Sequence, residues 1–174
     1  MSASEHFPAE IRIDDALRAE PLGNEEMDAF RAALNAAGLP AGDVAAPAVQ
    51  PFRFMRNLKA VGYGAVELYG SGVLLRSIVV AADARGAGVG RKIVDWLLAH
   101  AADNGALRAF LFTTNARAYF ESLGFATLDR SRAPRSSLTT RQAAGLCPAS
   151  AALLTRAVSP SSREAEPFER EQDP

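Results

Sequence analysis

Apolar positions recur every second residue in some stretches of this chain and every third or fourth in others. The switches between the two periods divide it into strands and helices. Ala16–Leu22 is a short apolar segment that predicts a first strand. Beyond it, Met27, Phe30, Leu34 and Ala37 fall at spacings of three and four, on one face of a helix. Asn24 is placed to cap that helix, with Glu25, Glu26 and Asp28 in the first turn, where the dipole favours negative charge. Gly38 ends it, and Pro40 blocks its return. A Pro/Ala-rich loop over 41–51 leads to strands at 52–56 and 62–69, the second closed by the turn residues Gly70-Ser71-Gly72. Val73–Val80 is apolar almost throughout, interrupted at Arg76 and Ser77, and so predicts a central strand covered on both faces.

The second half alternates. Gly88–Asp103 reads as a helix with Val89, Ile93, Trp96, Leu97 and His100 on one side, stopped by Asn104-Gly105. Then follow a strand at 109–113, a short helix at 115–123 ended by Gly124, a strand from Phe125 to Asp129, a short helix at 139–144 and a last strand at 151–158. Strands first and strand-helix-strand units afterwards predict an α/β fold, a mixed sheet with helices on both faces. Residues 1–14 and 159–174 are polar and read as tails around one domain at 15–158. The second tail, with three prolines and many charges, buries too little apolar surface to offset its ordering entropy.

Composition narrows the function classes. With 48% hydrophobic residues and a formal charge of -1 over 174 residues, the chain can form a core and lacks the basic excess of a nucleic-acid binder. Its single cysteine forms no internal disulfide, and Cys and His together are too few for a structural zinc site, so no metal is expected. No apolar run reaches membrane-spanning length and the N-terminus has no signal-peptide character, so a cytoplasmic setting is expected. Cys147 has no plausible general base, since His6 lies in the tail and His100 on the long helix, and it reads as a small buried thiol.

The most informative segment is Arg85-Gly86-Ala87-Gly88-Val89-Gly90, between a buried strand and a helix. Such a turn presents N–H groups with no intrahelical partner, glycine permits close approach, and Arg85, Arg91 and Lys92 add positive charge. The ligand it fits is a phosphate. The dinucleotide fingerprint would need glycine at 91, which is Arg, and a P-loop's Gly-Lys-Ser/Thr is absent. The spacing Arg-x-x-Gly-x-Gly remains.

That motif resembles the pyrophosphate loop of the GNAT superfamily of acyltransferases. The resemblance extends from the strand Leu74–Val80 before it to Asn115-Ala-Arg-Ala-Tyr-Phe-Glu-Ser-Leu-Gly-Phe125 after it, about residues 63–129. It implies a mostly antiparallel sheet splayed between two central parallel strands, with acetyl-CoA as cosubstrate lying in the gap. Backbone groups of Ile78, Val79 and Val80 would pair with the pantetheine arm and polarise the thioester carbonyl. The turn Arg85, Gly86, Ala87, Gly88, Val89, Gly90 and Arg91 would hold the pyrophosphate, and Asn115 would contact the arm. Dimerisation through the C-terminal strands is common in that family.

Acyl transfer to an amine needs a neutral nucleophile, a polarised carbonyl and a proton for the leaving thiolate. Many relatives use a tyrosine five residues before the Phe of Leu-Gly-Phe as the acid; here that position is Phe120, with Tyr119 beside it. Tyr119 is therefore the candidate acid, and half-buried aromatic packing the alternative. Glu67, sharing a strand face with Tyr63, Ala65 and Tyr69, is the candidate for the amine proton, against a solvated strand residue. Arg76 must find an anion, either an oxyanion of the substrate or a structural carboxylate. Thr113 and Thr114 could add hydroxyls to the substrate side. A narrower resemblance joins Leu-Leu-Arg-Ser-x-Val-Val, Leu-x-Thr-Thr and Leu-Cys-Pro-x-Ser-Ala to the GNAT enzymes of arsenic-resistance operons. It implies detoxifying acetylation of amino acids with arsinic or phosphinic side chains. A general amino-acid or protein N-acetyltransferase and a non-catalytic acetyl-CoA-binding module stay open.

Overall fold

The computed structural model describes residues 12–14, 17–138 and 149–159. Eight strands form a single sheet: β1 (Arg12–Asp14), β2 (Leu17–Pro21), β3 (Gln50–Arg56), β4 (Lys59–Tyr69), β5 (Gly72–Val80), β6 (Arg108–Thr113), β7 (Ala126–Thr127) and β8 (Ala152–Ala157). Their order is β1-β2-β3-β4-β5-β6-β8-β7, and all neighbours are antiparallel except β5 and β6. The helices are α1 (Met27–Ala36), α2 (Val89–Asp103), α3 (Arg117–Ser122) and α4 (Arg135–Leu138). This is the expected mixed, mostly antiparallel sheet with helices on both faces.

One face of the sheet is covered by α2. Its Val89, Ile93, Val94, Trp96, Leu97, Leu98 and Ala101 are buried against Val66, Val73, Leu75 and Leu111. The helix lies close because β4 carries glycine beneath it: a Cβ at Gly62 would stand 2.7 Å from Ile93 Cδ1, and one at Gly64 2.9 Å from Leu97 Cδ1. Each fully buried aliphatic side chain here contributes about 1.5–3 kcal/mol. The other face carries two separate apolar clusters. Met27, Phe30 and Leu34 of α1 pack with Val44 and Val79, while Leu74, Phe110 and Leu153 pack with Leu138 of α4.

Boundaries differ from the sequence reading in several places; β4, for one, begins at Lys59 and not at 62. Residues 12–14, expected to close an N-terminal tail, pair antiparallel with β2. Asn24 does not cap α1: it opens a 3₁₀ turn that runs into the helix, and Gly23 donates its N–H to the Glu26 carboxylate at 3.3 Å instead. Residues 125–129 contribute a strand of only two residues. The helix expected at 139–144, Cys147 and most of the C-terminal tail lie outside the described residues.

Candidate active site

The sheet opens at its centre. Strands β5 and β6 pair in parallel at Gly72–Arg108, Val73–Ala109 and Leu74–Phe110, and no further. Beyond Leu74 they diverge, and a cleft of about 760 Å³ fills the space between Leu75–Val80 on one side and Leu111–Ala116 on the other. That size is typical of a small-molecule or cofactor site. Ala37–Pro40 at the end of α1 form one wall, and Arg85, Phe120 and Ala151 complete the lining. Along this edge the backbone groups of β5 face the cleft, and polar backbone groups there require partners.

A bulge turns β5 at the same place. Tyr63 of β4 pairs with Val79, and Ala65 with Arg76, so two residues of β4 span three of β5. Ser77 absorbs the extra residue with φ +55°, a left-handed conformation that costs a non-glycine residue about 1–3 kcal/mol. The alternation shifts by one. Arg76 and Val79 therefore share a face with Leu74, whereas Ile78 and Val80 join the face of Val73 and Leu75.

The glycine turn meets the cleft at Arg85, while residues 86–91 lie outside its lining. Gly86 and Gly88 take φ +81° and +74°, values that glycine adopts without strain, and neither has a heavy atom within 4 Å of where a Cβ would point. The first long helical bond runs from Lys92 N–H to Gly88 C=O at 3.2 Å. The N–H groups of Val89, Gly90 and Arg91 thus have no intrahelical acceptor, at the positive end of a 15-residue helix. Arg85 lines the cleft and donates Nε–H to Val80 C=O at 3.1 Å. An oligophosphate would meet N–H donors and guanidinium groups together here.

The polar residues divide into two sets. Ser77, Thr113, Thr114 and Asn115 line the cleft, and Thr113 Oγ1 accepts the N–H of Ala116 at 3.0 Å, fixing the turn into α3. Tyr119 and Glu67 are outside the lining. Phe120 occupies it, while the Tyr119 hydroxyl lies where a Cβ at Gly90 would be 2.5 Å away. Partial burial raises the Tyr119 pKa, with Arg91 opposing and Asp95 adding to the rise. The tyrosine stays protonated, yet the structure does not bring its hydroxyl to the cleft.

Arg76 is committed to carboxylates of the protein. Its side chain has 0% exposure, and it donates to Asp43 through both terminal nitrogens, one bond measuring 2.8 Å, and to Glu67 Oε1 through Nη1. Burial opposes its charge, but hydrogen bonds and attraction from Asp43 and Glu67 outweigh that, and its pKa is raised. Of the two alternatives for this arginine, the structure realises the carboxylate partner. Glu67, open to a reading as a solvated strand residue, is buried. Asp43 was missed by sequence reasoning, although a clue was present: it is the one charged residue between Ala37 and Val49, as Arg76 is between Gly72 and Val80. Among the described residues no helix is long and apolar enough to cross a membrane.

Residues 54–127 match the family model described as Acetyltransferase (GNAT) domain. No curated protein sequence matches the chain. Among solved structures it is similar to N-acetylglutamate synthase from Neisseria gonorrhoeae complexed with coenzyme A and N-acetyl-glutamate, with a TM-score of 0.70 and 15% identity over 84% of this chain. The match covers 36% of that enzyme, so the chain spans little more than a third of its length. The ribosomal-protein-S18-alanine N-acetyltransferase from Escherichia coli gives 0.62 and 16% identity over 85% of this chain and 97% of its own. An aminoglycoside 6'-N-acetyltransferase complexed with coenzyme A gives 0.61 and 15%, over 82% and 97%. The fold is that of the GNAT acetyltransferases.

Proposed function

We propose that this chain is an acetyl-CoA-dependent N-acetyltransferase that passes the acetyl group directly to the amine of a small molecule in a ternary complex. The observation that carries the reading is the opening of β5 from β6 past Leu74 and Phe110, into a cleft lined by Arg85, the first residue of the glycine turn. In this reading the N–H groups of residues 86–91 hold the pyrophosphate, with Arg85 and Arg91 adding charge. The cleft edge of Ile78, Val79 and Val80 pairs with the pantetheine arm and polarises the thioester carbonyl, and Asn115 contacts the arm. Most of the rate gain comes from holding amine and thioester together and from donors aimed at the developing oxyanion. With Tyr119 and Glu67 outside the lining, water takes the amine proton as the C–N bond forms and gives a proton to the CoA thiolate released when the C–S bond breaks.

The acceptor occupies the side of Ala37–Pro40, Phe112, Thr113, Thr114 and Ala151. No carboxylate is among the lining residues, and their charged members are the cations Arg76 and Arg85. Those features favour a neutral or anionic small amine over a polycation. The resemblance to arsenic-resistance enzymes makes phosphinothricin a reasoned test acceptor, although the charge of Arg76 is already engaged by Asp43 and Glu67.

The test is thermal unfolding with and without acetyl-CoA, followed by thiol release across amino acids that include phosphinothricin. A rise in Tm supports the cofactor assignment, because a ligand that binds only the folded state stabilises it. Thiol release with an amine supports transfer. A rise in Tm with no turnover on any amine would favour a non-catalytic acetyl-CoA-binding module, which the phenylalanine at 120 would suit.

A further inference from the structure

The loop between α1 and β3 runs from Ala37 to Val49 without regular secondary structure, and its first four residues are a wall of the cleft. A loop of this length, left to itself, moves. Two adjacent residues tie it down. Val44 is fully buried beside Phe30, Leu34 and Val79, and Asp43, 6% exposed, holds the Arg76 guanidinium in a two-pronged pair. Asp43 also closes its own turn, its C=O accepting the Ala46 N–H at 2.9 Å. On the other side of the pair, Arg76 directly precedes Ser77, the bulged residue, and its Nε–H approaches Ser77 Oγ at 3.4 Å. The wall of the cleft and the turn in β5 are therefore joined through one buried ion pair, between the two apolar clusters of that face.

We infer that Asp43 is a positioning residue for the acceptor: through Arg76 it fixes the Ala37–Pro40 wall relative to the bulged segment of β5. Planar, bidentate guanidinium–carboxylate pairing sets orientation as well as distance, which a single contact or Val44 alone would not do. Acetyl-CoA depends on a different part of the molecule, the turn at 85–91. The inference rests on the acyltransferase reading, and it separates the two substrates: disturbing Asp43 should affect the amine and spare acetyl-CoA.

The experiment compares wild type with Asp43→Glu, which keeps the charge but displaces the carboxylate by one methylene, and Asp43→Asn, which removes it. Acceptor KM should rise from wild type to Asp43→Glu to Asp43→Asn, reaching roughly tenfold or more, since a small misplacement of a reactant is costly. The acetyl-CoA-dependent shift in Tm should be unchanged in both. Leu17→Ala, a buried truncation on β2, should lower Tm without moving acceptor KM, which separates positioning from general destabilisation. Unchanged acceptor KM in a folded Asp43 variant overturns the inference, as does an equal loss of acetyl-CoA affinity. Hydrogen exchange supplies the reading that needs no turnover. Faster exchange confined to residues 37–49 in Asp43→Glu supports the tether, and unaltered protection there overturns it. If wild type neither binds acetyl-CoA nor releases thiol with any amine, the acyltransferase reading fails on its own, and the exchange data still decide the tether.

Discussion

Leu74 of β5 and Phe110 of β6 are the last residues in register between the two parallel strands, and both are buried. The ladder that ends with them leaves the far half of β5 bonded to β4 alone. Three residues further on, Ser77 turns that half by a bulge, and eight residues beyond Ser77 the glycine turn begins at Arg85. Broken ladder, bulge and glycine turn lie on one short segment, and the following predictions test its parts.

Gly88→Glu should abolish acetyl-CoA binding. The position has φ +74° and open space where a side chain would project, so the substitution sets bulk and negative charge beside the exposed N–H groups of α2. The left-handed conformation itself costs about 1–2 kcal/mol, so the variant should fold with a modestly lower Tm. Titration with acetyl-CoA checks it, and undiminished affinity in the folded variant would remove the turn from the cofactor site.

Tyr119→Phe should leave kcat within about a factor of two, because its hydroxyl lies against Gly90 of the glycine turn and not beside Thr113–Asn115, whereas a general acid is worth about a hundredfold or more. A drop of that size would return the Tyr119 hydroxyl to the chemistry. Steady-state kinetics on the best acceptor from the amine screen distinguish the outcomes.

Arg76→Ala should be among the most destabilising single changes, at about 3–5 kcal/mol, because it leaves two buried carboxylates without their cation. Thermal unfolding of the variant checks it. A variant with wild-type Tm and a raised acceptor KM would instead make Arg76 a substrate ligand.

His100 sets a separate acid limit. It stacks on Trp96 at 5.2 Å and 8°, sits edge-on to Phe52 at 4.9 Å, and lies 3.2 Å from Gln50 Oε1. Burial lowers its pKa, against the opposing pull of Asp103. The unfolded chain therefore takes up this proton first, near about pH 6.5, and the folded form only at lower pH. Stability from the neutral ring is fully present above about pH 6.5 and declines as pH falls through it. Thermal unfolding against pH should show that decline in wild type and lose it in His100→Gln.

What the sequence settled was whatever neighbouring residues decide among themselves. The 3.6-residue spacing of Ile93, Leu97 and Ala101 requires a helix with one buried face, and the apolar run around Leu74 and Val79 requires a covered strand. Gly86 and Gly88 mark a turn with positive φ before any fold is known, since those angles are a local property of the backbone. The order of the elements and the place of the glycine turn were legible for that reason. Tertiary structure alone decided where charge and space ended up. Arg76 found Asp43 at a distance of 33 residues, because a buried guanidinium takes the carboxylate that packing brings to it, from any part of the chain. The positive φ of Ser77 has no local cause; it follows from keeping both ends of β5 in register with β4 while Arg76 faces Asp43. Whether Tyr119 or Phe120 faced the cleft depended on how α3 docks beside α2, and Gly23 rather than Asn24 took the cap because Glu26 reached its N–H. Periodicity and turn chemistry act within a few residues, whereas burial of a charge, the aim of a side chain and the width of a cleft are set by contacts between distant parts of the chain.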